Sequence, residues 1–341
     1  MKLRWKHYTV IAVVIISFIC SWLIAGRLFW WNVVGSVPTL FLLLLPVLVA
    51  LLAIREKRKL FYFLSSFILL LGLLPRIDIN LHAFSASPEV NDPGAIKIMG
   101  WNTELWDQID EDDSIYDFIK QQNQDIYVLQ EYEYITKDWE PYLIDRSKEL
   151  RDNFPDYQIM TIDQFVVISK YPILDHQLSA SKQVLLLHLN VNGRTLSIVN
   201  VHLRPHVDLG NGLLSPIFWN YVKERHQIRT QGLDEIQQFV KQENGQSLIV
   251  TGDFNTTLLM GGLETLRSEL SDAVKHSKEI VPTTWESKDF VPSSWKENGI
   301  FWWRIDHFLY NKKVDVLSYD TRKDTKLSDH KAMLIQLKLV N

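Results

Sequence analysis

Long stretches without charge open the chain, and a shorter alternation of apolar and polar residues fills the rest. Three apolar runs, at residues 8–26, 28–54 and 60–75, contain no charged side chain. Runs of about 17 to 25 apolar residues are long enough to cross a bilayer as helices. The pattern therefore predicts a membrane domain with three transmembrane helices, at about 8–30, about 36–54 and about 60–76.

A cleavable signal peptide is an alternative interpretation of the first run, because Lys2, Arg4 and Lys6 precede it. No small-residue cleavage site follows that run, and two further apolar runs come directly after it. The aromatic residues at 29–31 are also typical of an interfacial belt beside a membrane span. These features favour membrane insertion over removal of the segment.

Positive charges predict the orientation of the spans. Basic residues cluster before the first span, at 2–6, and before the third, at 55–59. Such clusters mark cytoplasmic ends, and two spans separate them, so the two clusters agree. The third span then carries the remaining chain out of the cytoplasm. That span reaches only about 24 Å over its uncharged residues, and if it does not cross the bilayer the large domain is cytoplasmic instead.

Beyond a turn-rich linker at 77–94, short apolar runs alternate with longer amphipathic ones, which is typical of an α/β layered domain. This domain is predicted at 95–341. Its predicted strands lie at 96–101, 125–129, 165–169, 183–191, 195–203, 248–251, 301–310 and 332–340. Its predicted helices lie at 114–122, 217–243 and 262–273.

Charge and cysteine content narrow the function of the large domain. Residues 76–341 carry 28 basic and 39 acidic side chains, which is a net charge of −11. A domain this acidic does not resemble an electrostatic binder of nucleic acid or anionic lipid. The only cysteine, Cys20, lies in the first apolar run, so the large domain has neither disulfides nor a catalytic thiol.

Polar residues follow most of the predicted strands. The central case is the segment SLIVTGDFNTT at 247–257, in which a buried strand ends at Gly252. The residues at or just beyond strand ends are Asn102, Glu131, His202, Asp253, Asn255, Asp306, Asp329 and His330. Packed sheets can gather such residues at one edge, where active sites of α/β proteins collect. An ordinary Asp/Asn turn is the structural alternative for each strand end taken alone.

These residue types suit metal-assisted attack of water on a phosphate. A carboxylate such as that of Glu131 can hold Mg²⁺ and leave most of the ion's ligand positions to water and phosphate. A histidine oriented by an aspartate can move a proton near neutral pH, and Asp253 and Asn255 can orient the nucleophile. Zinc hydrolysis is disfavoured because the sequence has neither HExxH nor CxxC. A nucleophilic serine and a nucleotide-binding loop are disfavoured because the GxSxG and P-loop motifs are absent.

Other histidines and tryptophans have simpler interpretations. His206, His226 and His276 are expected on exposed loops or helices. His307 alternates with Asp306 along a strand, so it is expected to pack on the opposite face. Trp302 and Trp303 are expected to form a hydrophobic wall, with a substrate rim as the alternative.

The ordered segments GWNTE, DIYVLQE, FVVISKYPI, NVHL, TGDFN, RIDHFLY and LSDH resemble the endonuclease/exonuclease/phosphatase superfamily. The resemblance extends over about residues 95–340. It implies a four-layer α/β sandwich of two packed mixed sheets flanked by helices, with a divalent-metal site at the shared edge. It also implies roles for the residues at the strand ends.

By this resemblance, the metal-site residues are Glu131 as ligand, with Asn102 and Asp329 beside the metal. Glu104 matches a second acidic metal group that only some branches of the family possess. The resemblance assigns catalytic roles to five further residues: His202 at the phosphate or leaving group, Asp253 and Asn255 at the water and transition state, and His330 oriented by Asp306. The cofactor implied is Mg²⁺, with Mn²⁺ as an alternative.

The sequence therefore predicts a multi-pass protein of the cell membrane whose extracytoplasmic domain is a metal-dependent phosphohydrolase, in particular a phosphodiesterase. Its expected partners are the lipid bilayer and a phosphate ester, and no protein partner can be inferred. Proximity to a bilayer favours a phospholipid or small phosphate ester, whereas the family resemblance favours nucleic acid. A catalytically inactive, membrane-tethered binding module with the same fold is the alternative function.

Overall fold

The fold was analysed in a computed structural model, which describes residues 5–85, 92–108, 114–138, 140–206, 212–286, 302–323 and 327–340. Four α-helices precede the large domain: α1 (Trp5–Ile19), α2 (Trp31–Gly35), α3 (Leu44–Arg55) and α4 (Lys59–Leu73). A π-helical turn, Cys20–Ile24, extends α1, and 3₁₀ turns at Thr39–Leu43 and Leu74–Arg76 extend α3 and α4. These helices coincide with the apolar runs.

Two of these helical segments, Trp5–Ile24 and Lys59–Arg76, are long and apolar enough to cross a membrane. The third apolar segment, Thr39–Arg55, has 17 residues and is shorter than the other two. The first helix ends at Ile24, not near residue 30 as predicted. Trp31 also differs from an interfacial belt residue, because it is buried and its indole Nε1 donates a hydrogen bond to the carbonyl of Leu259 (2.8 Å).

The first sheet of the large domain has six strands in the order β15-β16-β1-β2-β6-β5. They are β1 (Ile96–Asn102), β2 (Ile126–Gln130), β5 (Gln158–Ile162), β6 (Phe165–Ser169), β15 (Val314–Arg322) and β16 (Ala332–Leu339). β1 and β2 are parallel, and the other neighbours are antiparallel. The sheet is therefore mixed, with the parallel pair at its centre.

The second sheet has the order β11-β14-β10-β9-β8-β7. Its strands are β7 (Ile173–Leu178), β8 (Val184–Val191), β9 (Arg194–His202), β10 (Ser247–Asp253), β11 (Ser271–Asp272) and β14 (Asp306–Tyr310). Here β9 and β10 are the parallel pair. Two small hairpins flank the sheets, one formed by β3 (Glu133–Ile135) with β4 (Pro141–Leu143), the other by β12 (Trp285–Glu286) with β13 (Trp302–Trp303).

Helices cover the outer faces of both sheets, and the inner faces pack on each other. Val128 and Val167 of the first sheet share a fully buried cluster with Leu187 and Ile198 of the second. Helix α7 (Pro216–Gln242) packs on the second sheet, while α5 (Ser114–Gln121) and α6 (Ser147–Asn153) pack on the first. The predicted four-layer α/β sandwich is confirmed.

The helix predicted at 262–273 is wrong over its second half. Helix α8 covers only Glu264–Glu269, and Ser271–Asp272 instead extends the second sheet as β11 beside β14. The Asp272 carboxylate then accepts a hydrogen bond from the Val274 amide and caps a 3₁₀ turn, Ala273–His276. Strand pairing and a local cap therefore override the apolar spacing that suggested a longer helix.

The described part of the predicted linker packs against the domain. The Asn80 side chain donates hydrogen bonds to the carbonyls of Val274 (2.9 Å) and Ser277 (2.8 Å). Arg304 lies between Asp78 (3.4 Å) and Asp272 (2.6 Å), and all three side chains are almost fully buried. Residues 86–91 of that segment lie outside the described residues. The chain after α4 is thus fixed to the domain by a buried ion pair.

Replacing Asp272 by alanine is expected to lower the free energy of unfolding by about 3 to 5 kcal/mol, because Arg304 would keep its buried charge with Asp78 alone. In a thermal melt of the full chain this corresponds to a decrease of about 10 °C. Asp152→Ala, which removes an exposed carboxylate, should melt like the unchanged protein. Equal melting temperatures for the two variants would show that the ion pair does not stabilise the fold.

Candidate active site

The strand ends that carry the predicted site residues all meet at one edge of the sandwich. In the first sheet, Asn102 at the end of β1 pairs with Gln130 at the end of β2, and Glu131 is the next residue after Gln130. His330 lies two residues before the start of β16. In the second sheet, Asp253 at the end of β10 pairs with His202 of β9 on one side and with Asp306 of β14 on the other. Parallel central strands in both sheets therefore place their carboxyl ends side by side.

Asn102 connects the two sheets at this edge. Its amide Nδ2 donates hydrogen bonds to Oε1 of Glu131 (2.9 Å) and to Oδ2 of Asp253 (3.1 Å). The Asn255 amide also donates to Asp253 Oδ2 (2.8 Å), and the Asn255 backbone N–H donates to Asp253 Oδ1 (2.7 Å). The Asp253 carboxylate is therefore held in one orientation by three donors and is almost fully buried.

His330 and Asp306 form a buried pair. Nδ1 of His330 lies 2.9 Å from Oδ2 of Asp306, and Nε2 points toward Asp253 Oδ2 (3.8 Å) and Asp329 Oδ1 (3.7 Å). The hydroxyl of Thr284 accepts a hydrogen bond from the Asp306 backbone N–H (3.0 Å) and fixes the start of β14. One ring nitrogen is therefore oriented by a carboxylate while the other faces the remaining site residues.

His202 lies on the other side of Asp253. Its Nε2 is 3.3 Å from Oε1 of Glu131 and 3.9 Å from Oδ2 of Asp253. Its Nδ1 forms a short hydrogen bond with the side-chain oxygen of Gln164, a buried residue in the turn between β5 and β6. Sequence reasoning missed Gln164, because it precedes a strand and does not follow one.

Asp329 is held from two directions at the mouth of the site. Its backbone N–H donates to Oε2 of Glu104 (2.7 Å), and its Oδ2 accepts a hydrogen bond from the indole of Trp285 (2.8 Å). The Trp285 ring also lies 6.4 Å from the His330 ring, so this tryptophan of β12 forms one wall of the site. Trp285 was not predicted, because nothing in its local sequence relates it to the strand ends.

Two of the eight predicted site residues have a positive backbone φ. Glu131 has φ of 62° and Asn255 has φ of 46°. Residues other than glycine rarely have a positive φ, and those that do collect at functional sites where surrounding contacts hold them in place. Here the hydrogen bonds from Asn102 and Leu105 to the Glu131 carboxylate supply those contacts.

Burial and charge shift the pKa values of the site in opposite directions. Burial alone would raise the pKa of Glu131, but the hydrogen bond and charge of His202 outweigh it and lower that pKa to about 2. Burial raises the pKa of Asp253 to about 6 and the pKa of Asp329 to about 7. Burial would lower the pKa of His330, yet the charges of Asp306 and Asp253 raise it well above its ordinary value.

The donor set fits a divalent cation. One atom each from Asp253, Asp306 and His330 lie within 4.8 Å of one another and could hold a metal ion. The resemblance instead places the metal at Glu131, Asn102 and Asp329. Both sets border the same opening, which five carboxylates line with two histidines. Burial raises the pKa of two of these carboxyl groups, those of Asp253 and Asp329, and a divalent cation bound here would supply the positive charge that favours their ionised forms.

All eight predicted site residues and Glu104 are thus brought together at one edge. The Glu131 and Asp329 side chains retain 20% and 18% of their exposure and form the mouth, whereas the Asp253 and Asp306 side chains at 1% form the floor. His307 packs on the opposite face as predicted, fully buried with Nε2 hydrogen-bonded to the Thr256 carbonyl (2.9 Å).

Of the three histidines predicted on exposed surfaces, His206 is buried, and His226 and His276 are half-buried. His206 is buried, and its Nε2 lies 2.8 Å from the hydroxyl of Ser36 in the N-terminal segment. Nδ1 of His226 lies 3.2 Å from the amide of Asn32, and His276 bonds to the hydroxyl of Tyr310. The prediction of exposure was wrong for His206 because its partner is 170 residues away in sequence.

Removing the acceptor on Gln164 is expected to lower kcat about 10- to 100-fold with little change in KM, because His202 would lose the hydrogen bond that orients its ring. Gln164→Met keeps the volume and removes the acceptor, whereas Gln164→Glu keeps an acceptor and should restore most of the rate. A steady-state comparison of both variants at several pH values checks this. Equal loss in both variants would assign Gln164 a packing role only.

Comparison with known proteins identifies the family and the fold. Residues 99–330 match the model of the Endonuclease/Exonuclease/phosphatase family. A solved endonuclease/exonuclease/phosphatase from Bacteroides vulgatus is 20% identical with a TM-score of 0.52, and the alignment covers 72% of this chain and 99% of that one. Truncated TDP2 from Caenorhabditis elegans is 16% identical with a TM-score of 0.50, covering 71% and 97%. No curated protein matches the chain.

At these identities the two solved structures establish a shared fold. The family match extends over about two thirds of the chain, from within β1 to His330, two residues before β16, and includes every residue described at the sheet edge. This chain therefore belongs to the endonuclease/exonuclease/phosphatase family.

Proposed function

We propose that this chain is a membrane-anchored phosphodiesterase that uses a divalent metal ion, Mg²⁺ or alternatively Mn²⁺, to hydrolyse phosphate esters with water. The observation that carries the proposal is the convergence of five carboxylates and two histidines on one opening at the sheet edge. Carboxylate and amide oxygens are the ligands that hard cations prefer. Membership of a family of phosphate-ester hydrolases supports the same conclusion.

Glu131 and Asp329, with Asn102 between Glu131 and Asp253, would hold the ion at the mouth of the site. A divalent ion bound there would polarise the phosphate and neutralise charge that develops on its oxygens. The low pKa of Glu131 keeps its carboxylate ionised at every physiological pH. This is the form that a cation requires.

The buried groups are assigned to the proton transfers. Asp253, whose pKa is raised by burial and whose orientation is fixed by Asn102 and Asn255, accepts a proton from the attacking water. The water oxygen bonds to phosphorus while the bond between phosphorus and the ester oxygen breaks. His202, whose pKa is raised by Glu131 despite its burial, donates a proton to the departing oxygen.

His330 is assigned to the negative charge of the transition state. Because Asp306 and Asp253 favour its protonated form, its ring is a fixed positive charge whose Nε2 points toward the opening. A preorganised charge in a buried site stabilises developing negative charge without the cost of reorienting solvent. Asp306 acts through His330 as a positioning residue.

Anchoring by the N-terminal helices is the second part of the proposal. Two segments are long and apolar enough to span a bilayer. The C-terminal ends of α1 and α4 are the ends nearest the domain. Their N-terminal ends lie with the basic residues at 55–59, and there Lys6 pairs with Glu56 (2.7 Å). Basic ends on the cytoplasmic side would leave the catalytic domain outside the cytoplasm. A C-terminal reporter that is active only in the cytoplasm would contradict this orientation.

The test of the chemistry uses the full chain in detergent with an aryl phosphodiester and with supercoiled plasmid. Hydrolysis of either substrate should require Mg²⁺ or Mn²⁺, stop on chelation with EDTA, and return when the metal is added again. Turnover that continues after chelation would overturn the metal-dependent mechanism. Metal binding without hydrolysis of any phosphate ester would instead support a membrane-tethered binding module.

A further inference from the structure

The loop between α1 and the segment Thr39–Arg55, residues 25–38, docks on the same edge of the sandwich that carries the site. This docking loop contains α2. Besides the contacts of Ser36 with His206 and of Asn32 with His226, four hydrogen bonds join this loop to the domain. They run from Gly26 N–H to the Met260 carbonyl (2.7 Å), from Trp31 Nε1 to the Leu259 carbonyl (2.8 Å), from Thr257 Oγ1 to the Gly35 carbonyl (2.8 Å) and from Trp303 Nε1 to the Ser36 carbonyl (2.7 Å).

Glycines on both sides make this contact close. A Cβ atom on Gly26 would lie 2.8 Å from the backbone nitrogen of Gly262, and one on Gly261 would lie 2.5 Å from the backbone nitrogen of Gly26. A Cβ atom on Gly35 would lie 2.7 Å from the Cα of Met260. Backbone approaches backbone at these positions, so the docking loop and the domain form a specific interface and not a loose tether.

The domain residues that the docking loop contacts are sequence neighbours of the site residues. Thr257 comes two residues after Asn255, and His206, which bonds to Ser36, comes four residues after His202. Trp303 comes three residues before Asp306. These segments all leave the sheets at the edge where the site opens. The ends of the apolar helices therefore meet the domain beside its active site and not at its far side.

The docking loop also supports one wall of the site. The Trp303 ring, fixed to Ser36 by its indole N–H, lies 5.1 Å from the ring of Trp285. Trp285 in turn donates its hydrogen bond to Asp329 at the mouth. A continuous chain of contacts thus connects the N-terminal segment to a proposed metal ligand through two tryptophans whose rings contact each other at a tilt of 52°.

Exposed apolar side chains lie beside this docking contact at the start of α7. Leu214 is 99% exposed and Leu213 is 52% exposed just before α7, and Ile217 in its first turn is 64% exposed. Trp219 of the same helix packs against Phe29 of the docking loop at 6.4 Å, so this apolar group, residues 213–217, adjoins the end of the first apolar helix. Phe84, eleven residues after the end of α4, is 79% exposed.

We propose that the active-site edge lies against the bilayer surface, held there by the docking loop and by the apolar residues 213–217, and that the substrate is the phosphate ester of a lipid headgroup. The proposal rests on membrane anchoring and phosphodiesterase chemistry as proposed above, and adds the direction from which the substrate arrives. Exposed apolar side chains next to spanning helices are stabilised by contact with the headgroup and acyl boundary. A large domain with net charge −11 repels nucleic acid and anionic lipid alike, which favours a lipid headgroup without net negative charge.

The test compares three substrates with the full chain in phospholipid nanodiscs: the phospholipid of the disc, a soluble aryl phosphodiester and plasmid DNA. The expected result is hydrolysis of the lipid phosphate ester. In the double variant Leu214→Asp with Ile217→Asp, the ratio of lipid to aryl diester turnover should fall at least tenfold. Leu174→Asp, at an exposed leucine near the far end of edge strand β7, should leave that ratio unchanged.

A second measurement, which does not depend on catalysis, tests the contact of residues 213–217 with the bilayer. A fluorophore on Leu214→Cys in a Cys20→Ser background should be quenched by lipids that carry a quencher in the acyl chain, while one on Leu174→Cys should not. Cleavage of the aryl diester or plasmid without lipid cleavage, or equal quenching at the two positions, would overturn the bilayer-facing site. Inactivity toward all three substrates would instead refute the proposed phosphodiesterase, and quenching at Leu214→Cys would still report the docking.

Discussion

His330→Ala is expected to lower kcat for phosphodiester hydrolysis by about 10²- to 10⁴-fold. The variant removes a positive charge that Asp306 fixes and that points toward the opening through Nε2. It also leaves two buried carboxylates, Asp253 and Asp306, without the cation that both of them face. Initial rates with an aryl phosphodiester at saturating Mg²⁺ measure the effect.

The matched control for this experiment is His176→Ala, which removes an exposed histidine from edge strand β7. It should retain the full rate. Asp306→Asn should lower kcat less than His330→Ala, because the asparagine oxygen still orients the His330 ring although the carboxylate charge is gone. A His330→Ala protein that melts at the usual temperature and keeps its rate would exclude His330 from the chemistry.

Glu131→Gln is expected to weaken metal binding by at least about 10²-fold, since neutral amide oxygen is a far poorer ligand for a hard cation than carboxylate. The substitution preserves the volume at a backbone position with φ of 62°. It also exchanges an acceptor for a donor opposite either the Asn102 amide or the Leu105 N–H, so the carboxylate network loses a contact. Titration of the apo protein with Mn²⁺, followed by calorimetry or by the electron paramagnetic resonance of free Mn²⁺, measures the affinity.

Glu140→Gln, at an exposed glutamate nine residues further along, provides the comparison and should bind Mn²⁺ like the unchanged protein. Catalytic rate at saturating Mn²⁺ then separates two roles. A rate that recovers at high metal concentration indicates that Glu131 acts through the ion alone. Unchanged affinity in Glu131→Gln would move the ion to the cluster of Asp253, Asp306 and His330.

The strands that the sequence predicted well are those buried on both faces. β6 (FVVIS) and β10 consist of residues that are all buried, and an uninterrupted apolar run is the signature of such a strand. The strands β5, β7 and β15 were missed. β7 (ILDHQL) has four exposed residues at the edge of its sheet, so its composition is close to that of a loop. Pairing with a neighbour makes it a strand, and pairing is not visible locally.

The site residues also divide into those that the local sequence reveals and those that depend on distant contacts. Residues at strand ends were predictable, because the strand fixes where its last side chain emerges, as for Asp253 and His202. Gln164 and Trp285 were not, because a turn and a small hairpin bring them to the edge from outside the central strands. His206 was misjudged for the related reason that its burial depends on Ser36, in a segment that the sequence assigned to the membrane.

The contacts of the docking loop also determine when the site can be completed during synthesis. They join residues separated by 222 positions at Gly35 and Thr257 and by 267 positions at Ser36 and Trp303. The N-terminal helices leave the ribosome before Trp285 and Trp303, which complete one wall of the site. We therefore expect the nascent protein to acquire a finished site only after its helices have reached the membrane, which would protect phosphate esters elsewhere in the cell from premature hydrolysis.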